Sequence, residues 1–187
     1  RTPDPERQVI ALDKPTTQPW TTPDQYWPAL SRATEALDPP YAAVSVPALA
    51  HNAHDMLARA NGTTIRVASK SVRVRGVIES VLALPGYHGV LAYTLAEALW
   101  LAEGSAGVAP ITDVVVGYPT VDRHALRRLA HNPELAARIT LMVDDVAHLA
   151  LIHEAARDTA TAIRVCIDVD SSWRPRTPGK RRGPHIG

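Results

Sequence analysis

TIRVASK, at residues 64–70, has the alternating pattern of a half-buried β-strand. Because side chains alternate across a strand, its odd-numbered residues share one face and its even-numbered residues share the other. In a barrel, the branched side chains of Ile65 and Val67 pack beneath helices, and this leaves Arg66, Ala68 and Lys70 pointing inward. Lys70 is therefore predicted at the carboxyl end of a strand, where barrel enzymes place their chemistry.

The amine of Lys70 has two interpretations. An unprotonated amine at the mouth of a barrel can attack a carbonyl carbon and form a Schiff base. A solvated lysine at the end of a strand is the alternative, and periodicity by itself leaves both open.

Apolar, β-rich runs alternate with helical patterns along the rest of the chain. The other predicted strands lie at 42–46, 90–93, 113–117, 140–144 and 163–170. The predicted helices lie at 28–37, 47–60, 72–84, 95–103, 122–130 and 145–157. This order predicts an α/β fold with a parallel sheet, and strand starts roughly 20 to 27 residues apart suit a (β/α) barrel or a doubly wound sheet.

One helix has clear start and stop signals. Thr94 is followed three residues later by Glu97, the spacing of a capping box, and Gly104 follows the last apolar position. We therefore expect a helix between Thr94 and Gly104.

Composition excludes several functional classes. The 187 residues are 45% hydrophobic and 21% charged, which is ordinary globular usage, and a formal net charge of +1 gives no field that attracts nucleic acid or anionic membranes. Cys166 is the single cysteine, and neither a signal peptide nor an apolar run of 18 residues occurs. We expect a soluble cytoplasmic protein without a nucleic-acid or membrane partner.

The last apolar run places Arg164, Cys166, Asp168 and Asp170 on its inward face. Polar groups inside a barrel need partners. The two aspartates could pair with Arg66, Arg164 or Lys70, or Asp170 could begin a solvated turn, and a structural ion pair is favoured for Arg164.

Tyr93 and Asp144 also end strands and are expected to face the same mouth, although such positions are more often structural than catalytic.

No histidine pair has the spacing of a helical zinc motif, and no Gly-rich nucleotide loop occurs. The sequence therefore predicts no metal site.

Several short segments follow one another in a recognisable order. Arg66 and Lys70 form an R-x-x-x-K strand that continues as Ser71-Val72-Arg73. The other segments are Pro40, 42–46, 47–60 with Asn52, Thr94–Ala98, Gly117–Pro119, Ile167–Asp170 and His185–Gly187. Together they span about residues 39–187. They resemble the pyridoxal-phosphate enzymes whose barrel is of the alanine racemase N-terminal type, nearest the branch with D-threonine aldolase, D-serine dehydratase and bacterial amino acid deaminase/aldolase proteins.

The resemblance implies a partial (β/α)8 barrel of the TIM type that binds pyridoxal phosphate. The run 42–46 is then a leading strand outside the barrel, about five barrel strands follow from residue 64, and the barrel is truncated at its C-terminus. Eight of the sixteen prolines fall in residues 1–40. Residues 1–38 are therefore expected to form a Pro-rich arm, and residues 39–187 the N-terminal part of the barrel.

The resemblance also implies a function. Lys70 is the catalytic lysine that holds pyridoxal phosphate as an internal aldimine, and Arg66, Tyr93 and Asp168 are further cofactor-binding residues. The expected activity is that of a lyase on D- or β-hydroxy amino acids, by retro-aldol cleavage or β-elimination of water, in a protein that is a homodimer when full length. The fragment alone is expected to be inactive.

Three alternatives stay open beside the lyase. They are an amino acid racemase of the same fold, a non-catalytic carrier of pyridoxal phosphate, and a cofactor-free aldolase that uses Lys70 directly. Alanine racemases continue their lysine as K-A-x-A-Y-G-H-G, whereas this chain reads KSVRVRG. The difference favours the aldolase or dehydratase branch.

Overall fold

The computed structural model describes residues 9–105, 107–169 and 171. Five strands lie among them: β1 (Ile65–Ala68), β2 (Tyr87–Ala92), β3 (Val114–Val116), β4 (Ile139–Val143) and β5 (Arg164–Ile167). The helices are α1 (Pro23–Thr34), α2 (Val46–Ala60), α3 (Arg75–Leu82), α4 (Leu95–Glu103), α5 (Arg123–Ala130), α6 (Pro133–Arg138) and α7 (Val146–Ala156). Single 3-10 turns span Pro19–Thr21 and Ser69–Ser71.

The strands form one parallel sheet in the order β1-β2-β3-β4-β5, with β1 and β5 at its edges. A helix precedes each successive strand from β2 onward, as a parallel sheet requires. This confirms the predicted α/β fold and the partial barrel, because five consecutive strands lie side by side without closing on themselves.

The predicted leading strand at 42–46 is wrong. Residues 41–45 belong to no sheet, and α2 already begins at Val46. An extended segment becomes a strand only where another strand accepts its hydrogen bonds, and no described strand pairs with this one. The apolar composition of the run suggested a strand, but nothing in the run specifies a partner.

The N-terminal helix also differs from the prediction. It spans Pro23–Thr34 rather than 28–37, with Pro23 in its first turn and Pro28 inside it. Both prolines suit a first helical turn, so the sequence pattern could not decide between them. The short helix α6 was not predicted; Asn132 caps it by accepting from the Leu135 amide at 3.1 Å.

The capping signals before α4 are confirmed. Thr94 Oγ1 accepts from the Glu97 amide at 3.2 Å, and the Glu97 carboxylate accepts from the Tyr93 amide at 2.9 Å. Gly104 ends the helix at φ +66°, a conformation that suits glycine. These bonds fix the direction in which the chain leaves β2 and thereby position Tyr93.

The main core lies between the sheet and the helices that cover one of its faces. Its largest fully buried side chains come from strands and helices alike: Ile78, Val90, Leu95, Leu99, Val114, Leu126, Ile139 and Leu141. The opposite face of the sheet is the inward face of the barrel. Along β4, Thr140 and Met142 lie on that face and are only partly buried.

Part of the Pro-rich segment packs onto the barrel strands and helices. Leu12 is 4% exposed and belongs to a second apolar cluster with Ala53 of α2 and Tyr87 of β2. The Ile10 amide donates to Ser80 Oγ at 2.9 Å. Residues 10–12 are therefore part of the packed structure, which the expectation of a separate arm did not anticipate.

Arg75 holds the end of α4 in place from a neighbouring helix. Its side chain is buried and donates to the carbonyl oxygens of Trp100 and Ala109 at 2.9 Å and of Leu101 at 3.1 Å. Its charge is paired with Glu79 at 2.7 Å. Arg75 thus gives the Trp100 carbonyl, near the end of α4, a donor that the helix does not supply, and it connects the helix to the loop that carries Ala109.

Within the described ranges, every helix is too short or too polar to cross a lipid bilayer.

Candidate functional site

Lys70 lies at the carboxyl end of β1, in the 3-10 turn of Ser69–Ser71 rather than on the strand itself. Ser69 beside it is fully buried, and its hydroxyl donates to the Leu91 carbonyl of β2 at 3.3 Å. This bond fastens the turn to the sheet. The backbone beneath Lys70 is therefore fixed, while its side chain is exposed.

Two tyrosines surround the amine of Lys70. Its Nζ lies 5.3 Å from the centroid of the Tyr93 ring and 5.7 Å from that of Tyr118, and it donates to Tyr118 Oη at 3.5 Å. The two rings meet edge to face, with centroids 5.2 Å apart and planes at 80°. Tyr93 directly follows β2 and Tyr118 follows β3 by two residues, so three neighbouring strand ends supply one cluster.

The cluster leaves the amine accessible for chemistry. Among the described residues, its partners are aromatic rings and a phenol oxygen rather than a carboxylate. Contacts with aromatic rings hold an amine in place, and no salt bridge has to break before the amine can react. We call the group formed by Lys70, Tyr93 and Tyr118 the amine cluster.

A cleft of about 330 Å³ opens beside the amine cluster. The cluster contributes two of its walls through Tyr93 and Tyr118, and the remaining wall residues are Thr94, Leu95, Pro119 and Thr120. A small molecule in this cleft would have two phenol rings at its border, and the amine of Lys70 contacts both of those rings. The carboxyl end of a parallel sheet is the usual place for such a site.

Arg73 brings a second cation to the Tyr93 ring. Its Cζ lies 5.4 Å from the ring centroid. The backbone of Arg73 has φ +48°, a left-handed conformation that is uncommon for any residue with a side chain. Such strain is concentrated at functional sites.

Arg66 does not join the amine cluster. Its Nη2 donates to Asp113 Oδ2 at 2.9 Å, and His88 Nε2 lies 3.3 Å from the same oxygen. Asp113 immediately precedes β3, so this group lies toward the amino end of the sheet, whereas Lys70 lies at the carboxyl end. The role of Arg66 in cofactor binding stays a prediction.

Asp168 lies far from Lys70 in the sheet. Its amide donates to the Val143 carbonyl at 2.9 Å and so continues the pairing of β4 with β5. Because β1 and β5 are four strand spacings apart, the two positions are separated by about 19 Å along the sheet. The structure brings Tyr93 to Lys70 but not Asp168, whose assigned role also stays a prediction.

The other predicted inward residues have separate outcomes. Arg164 pairs in register with Thr140, on the inward face, and forms no ion pair with another described residue. Asp144 lies 3.1 Å from His148 of α7. Asp170 and the segment His185–Gly187 lie outside the described residues.

Tyr118 is the residue of the cluster that sequence reasoning missed. Its motif Gly117-Tyr118-Pro119 was recognised, but no role was given to the phenol. The available signal was its position directly after a strand of a parallel sheet, since all such ends converge at one edge.

Comparison with known proteins identifies the family. Residues 44–177 match the family described as alanine racemase, N-terminal domain, which covers most of the chain, and the chain belongs to this family. It is 32% identical over 118 residues to a 3-hydroxy-D-aspartate aldolase of Paracoccus denitrificans strain Pd 1222. The match covers 63% of this chain and 27% of that protein. A second 3-hydroxy-D-aspartate aldolase of Paracoccus denitrificans has the same identity and coverage.

A solved structure supports the same assignment. The crystal structure of D-threonine aldolase from Filomicrobium marinum is similar with a TM-score of 0.60 and 26% identity, over 72% of this chain and 35% of that one. The chain thus spans about a quarter to a third of the length of these aldolases. The sequence-based resemblance to this branch is confirmed.

Proteins of this family in general depend on pyridoxal phosphate. The amine cluster fits one end of that molecule, because the cofactor carries an aldehyde that a primary amine can bind and a flat ring that phenol rings can flank. Lys70 supplies the amine, and Tyr93 and Tyr118, which contact that amine and line the cleft, supply the rings.

Proposed function

We propose that this chain carries the lysine-bearing part of a pyridoxal-phosphate-dependent lyase that acts on D- or β-hydroxy amino acids. The observation that carries the proposal is the position of Lys70 Nζ, at the carboxyl ends of neighbouring parallel strands and in contact with two tyrosines that line a cleft. Such a lyase breaks the bond between Cα and Cβ or eliminates water from the β position.

Each residue of the amine cluster has a part in this proposal. Lys70 would hold the aldehyde carbon of the cofactor, and Tyr93 and Tyr118 would lie against its ring. Pyridoxal phosphate, when bound, draws electrons from the substrate and stabilises the negative charge left at Cα when a bond there breaks. The amine of Lys70 would hold or deliver a proton at the Cα atom of the substrate.

The relatives favour a lyase over a racemase. The family as a whole is named for alanine racemase, but the similar proteins described above are aldolases. The substrate proposed here is therefore an amino acid with a hydroxyl group at Cβ, because both retro-aldol cleavage and water elimination need that group.

Cofactor trapping tests the proposal. The chain has only three lysines, Lys14, Lys70 and Lys180. Pyridoxal phosphate is added to the purified chain, the adduct is reduced with borohydride, and peptide mass spectrometry locates it. We expect trapping at Lys70, loss of that adduct in Lys70→Arg, and no change in Lys14→Arg.

Two outcomes of the trapping experiment would contradict the proposal. Equal modification of all three lysines, or an adduct yield that Lys70→Arg leaves unchanged, would show that Lys70 has no special affinity for the cofactor. The retro-aldol step itself is tested by aldehyde release from D-threonine or 3-hydroxy-D-aspartate.

A further inference from the structure

The backbone around Tyr118 is held tightly against β2. The Gly117 amide donates to the Ala92 carbonyl at 2.8 Å. A Cβ at residue 117 would lie 3.1 Å from Leu91 Cδ1, so glycine permits this close approach. Pro119 follows and restricts Tyr118 to extended backbone angles. The position of Tyr118 is thus set by three neighbouring features of the chain rather than by its own side chain.

The phenol of Tyr118 contacts Lys70 in two ways. Its ring lies within cation–π distance of Nζ, and its Oη is the hydrogen-bond acceptor for the same atom. Tyr93 offers the amine a ring contact alone, and that ring also has Arg73 near it. Of the two tyrosines, Tyr118 therefore has the more specific interaction with Lys70.

We propose that Tyr118 is a positioning residue that holds the amine of Lys70 beside the tyrosine rings that line the cleft. Lysine has four flexible side-chain torsions, and an exposed lysine without partners spreads over many rotamers. The ring and the Oη atom of Tyr118, on a backbone that is held against β2, favour the lysine rotamers that place Nζ beside Tyr118. This inference rests on the proposed role of Lys70, but the geometry it describes exists without the cofactor.

The size of the effect follows from the strength of such contacts. Cation–π contacts at exposed sites change an equilibrium by roughly two- to five-fold. We expect Tyr118→Leu to lower the rate of cofactor trapping at Lys70 by about that factor, and Tyr118→Phe, which keeps the ring, to lower it less. Tyr118 is 52% exposed, so neither change removes core packing.

A spectroscopic measurement separates positioning from a general effect on the fold. The three lysines are converted to ¹³C-dimethyl-lysines and observed by NMR, with Lys70→Arg identifying the Lys70 signal. Aromatic ring currents should displace that signal from the Lys14 signal. Tyr118→Leu should move it toward the Lys14 signal, and Tyr118→Phe should keep most of the displacement.

Tyr41→Leu is the matched control, because Tyr41 is 49% exposed and bonds to Thr34 instead. It should leave both the Lys70 signal and the trapping rate unchanged. The proposal is overturned if Tyr118→Leu changes neither readout, or if Tyr41→Leu changes both equally. A Lys70 signal that depends on Tyr118 in a chain that traps no cofactor would retain the positioning role and reject the proposed function.

Discussion

Arg66 and Asp113 form an ion pair that passes over strand β2. Arg66 Nη2 lies 2.9 Å from Asp113 Oδ2, and Gly89 of β2 lies beneath the contact. β1 and β3 are not neighbours in the sheet, so the pair connects two segments that share no backbone hydrogen bonds. A side chain at residue 89 would occupy the space that the ion pair uses.

Gly89→Ala should therefore destabilise the fold by about 2–4 kcal/mol. Gly89 has φ +72°, and a Cβ there would lie 2.8 Å from the Asp113 carbonyl oxygen, so backbone strain and a steric clash act together. The measurement is urea unfolding. Gly62→Ala is the control, since Gly62 has φ +87° but no atom within 4 Å of its Cβ position. It should cost only about 1 kcal/mol.

Asp113→Asn should lower the free energy of unfolding by about 1 kcal/mol, with a smaller loss at high salt. The side chains of Arg66 and Asp113 are 34% and 26% exposed, so solvent screens the pair only in part. Asp55→Asn is the comparison, because it breaks an ion pair in which the Arg59 side chain is 71% exposed and the Asp55 side chain is 51% exposed. It should change the free energy of unfolding by less than about 0.5 kcal/mol. Equal losses in the two variants would contradict the importance of partial burial.

Arg75→Leu should cost about 3–5 kcal/mol, because it removes the buried partner of Glu79 and leaves the carbonyl oxygens of Trp100 and Ala109 without a donor, while the Leu101 carbonyl keeps the Ile111 amide. Arg75→Lys should recover only part of this loss, since an ammonium group cannot reach three acceptors in the geometry of a planar guanidinium. Denaturant unfolding of both variants measures the difference. Full recovery by lysine would show that charge alone matters at this position.

The stability of the protein should fall at alkaline pH because of Tyr87. Burial raises the pKa of the Tyr87 phenol above 10.0, and its hydroxyl donates to the Ala53 carbonyl at 2.9 Å. In the unfolded chain the phenol loses its proton near pH 10, so above that pH the unfolded state binds fewer protons than the folded state. The contribution of Tyr87 is complete below about pH 10 and is lost as the pH rises through the folded pKa.

The Tyr87→Phe variant tests this pH dependence. It should cost about 1 kcal/mol at pH 7 through the lost hydrogen bond, and its stability should decline less steeply above pH 10. Tyr41→Phe changes an exposed phenol and should keep the wild-type slope. An identical alkaline slope in Tyr87→Phe and the wild type would rule out Tyr87 as the source.

Local sequence signals were sufficient for much of the fold. The capping box at Thr94 and Glu97, the parallel order of the strands and the place of Lys70 at a strand end follow from short-range chemistry, and the structure has all three. The sheet face was also predictable, because Ile65 and Val67 pack against the apolar clusters as the alternation requires.

The features that were missed depend on partners distant in sequence. No strand among the described residues pairs with the run at 42–46. Arg66 bonds to Asp113, an acid 47 residues away that no local pattern connects to it. Tyr118 meets Lys70 only because strand ends converge, across 48 residues. Periodicity shows which face a residue occupies, but the neighbour it meets there is set by strand register and by the path of the loops.

The bond from Ser69 to Leu91 has a consequence for how Lys70 can act. This bond ties the backbone next to Lys70 to strand β2. The amine can therefore reach only the volume that one lysine side chain covers from that backbone position. A molecule that reacts with the Lys70 amine must therefore bind within that volume. The other residues of the site must therefore bring the carbonyl carbon within reach of the amine. Slow hydrogen exchange at the amides of Val72 and Arg73, which donate to the Ser69 carbonyl at 3.0 and 2.9 Å, would show that this turn is held in place.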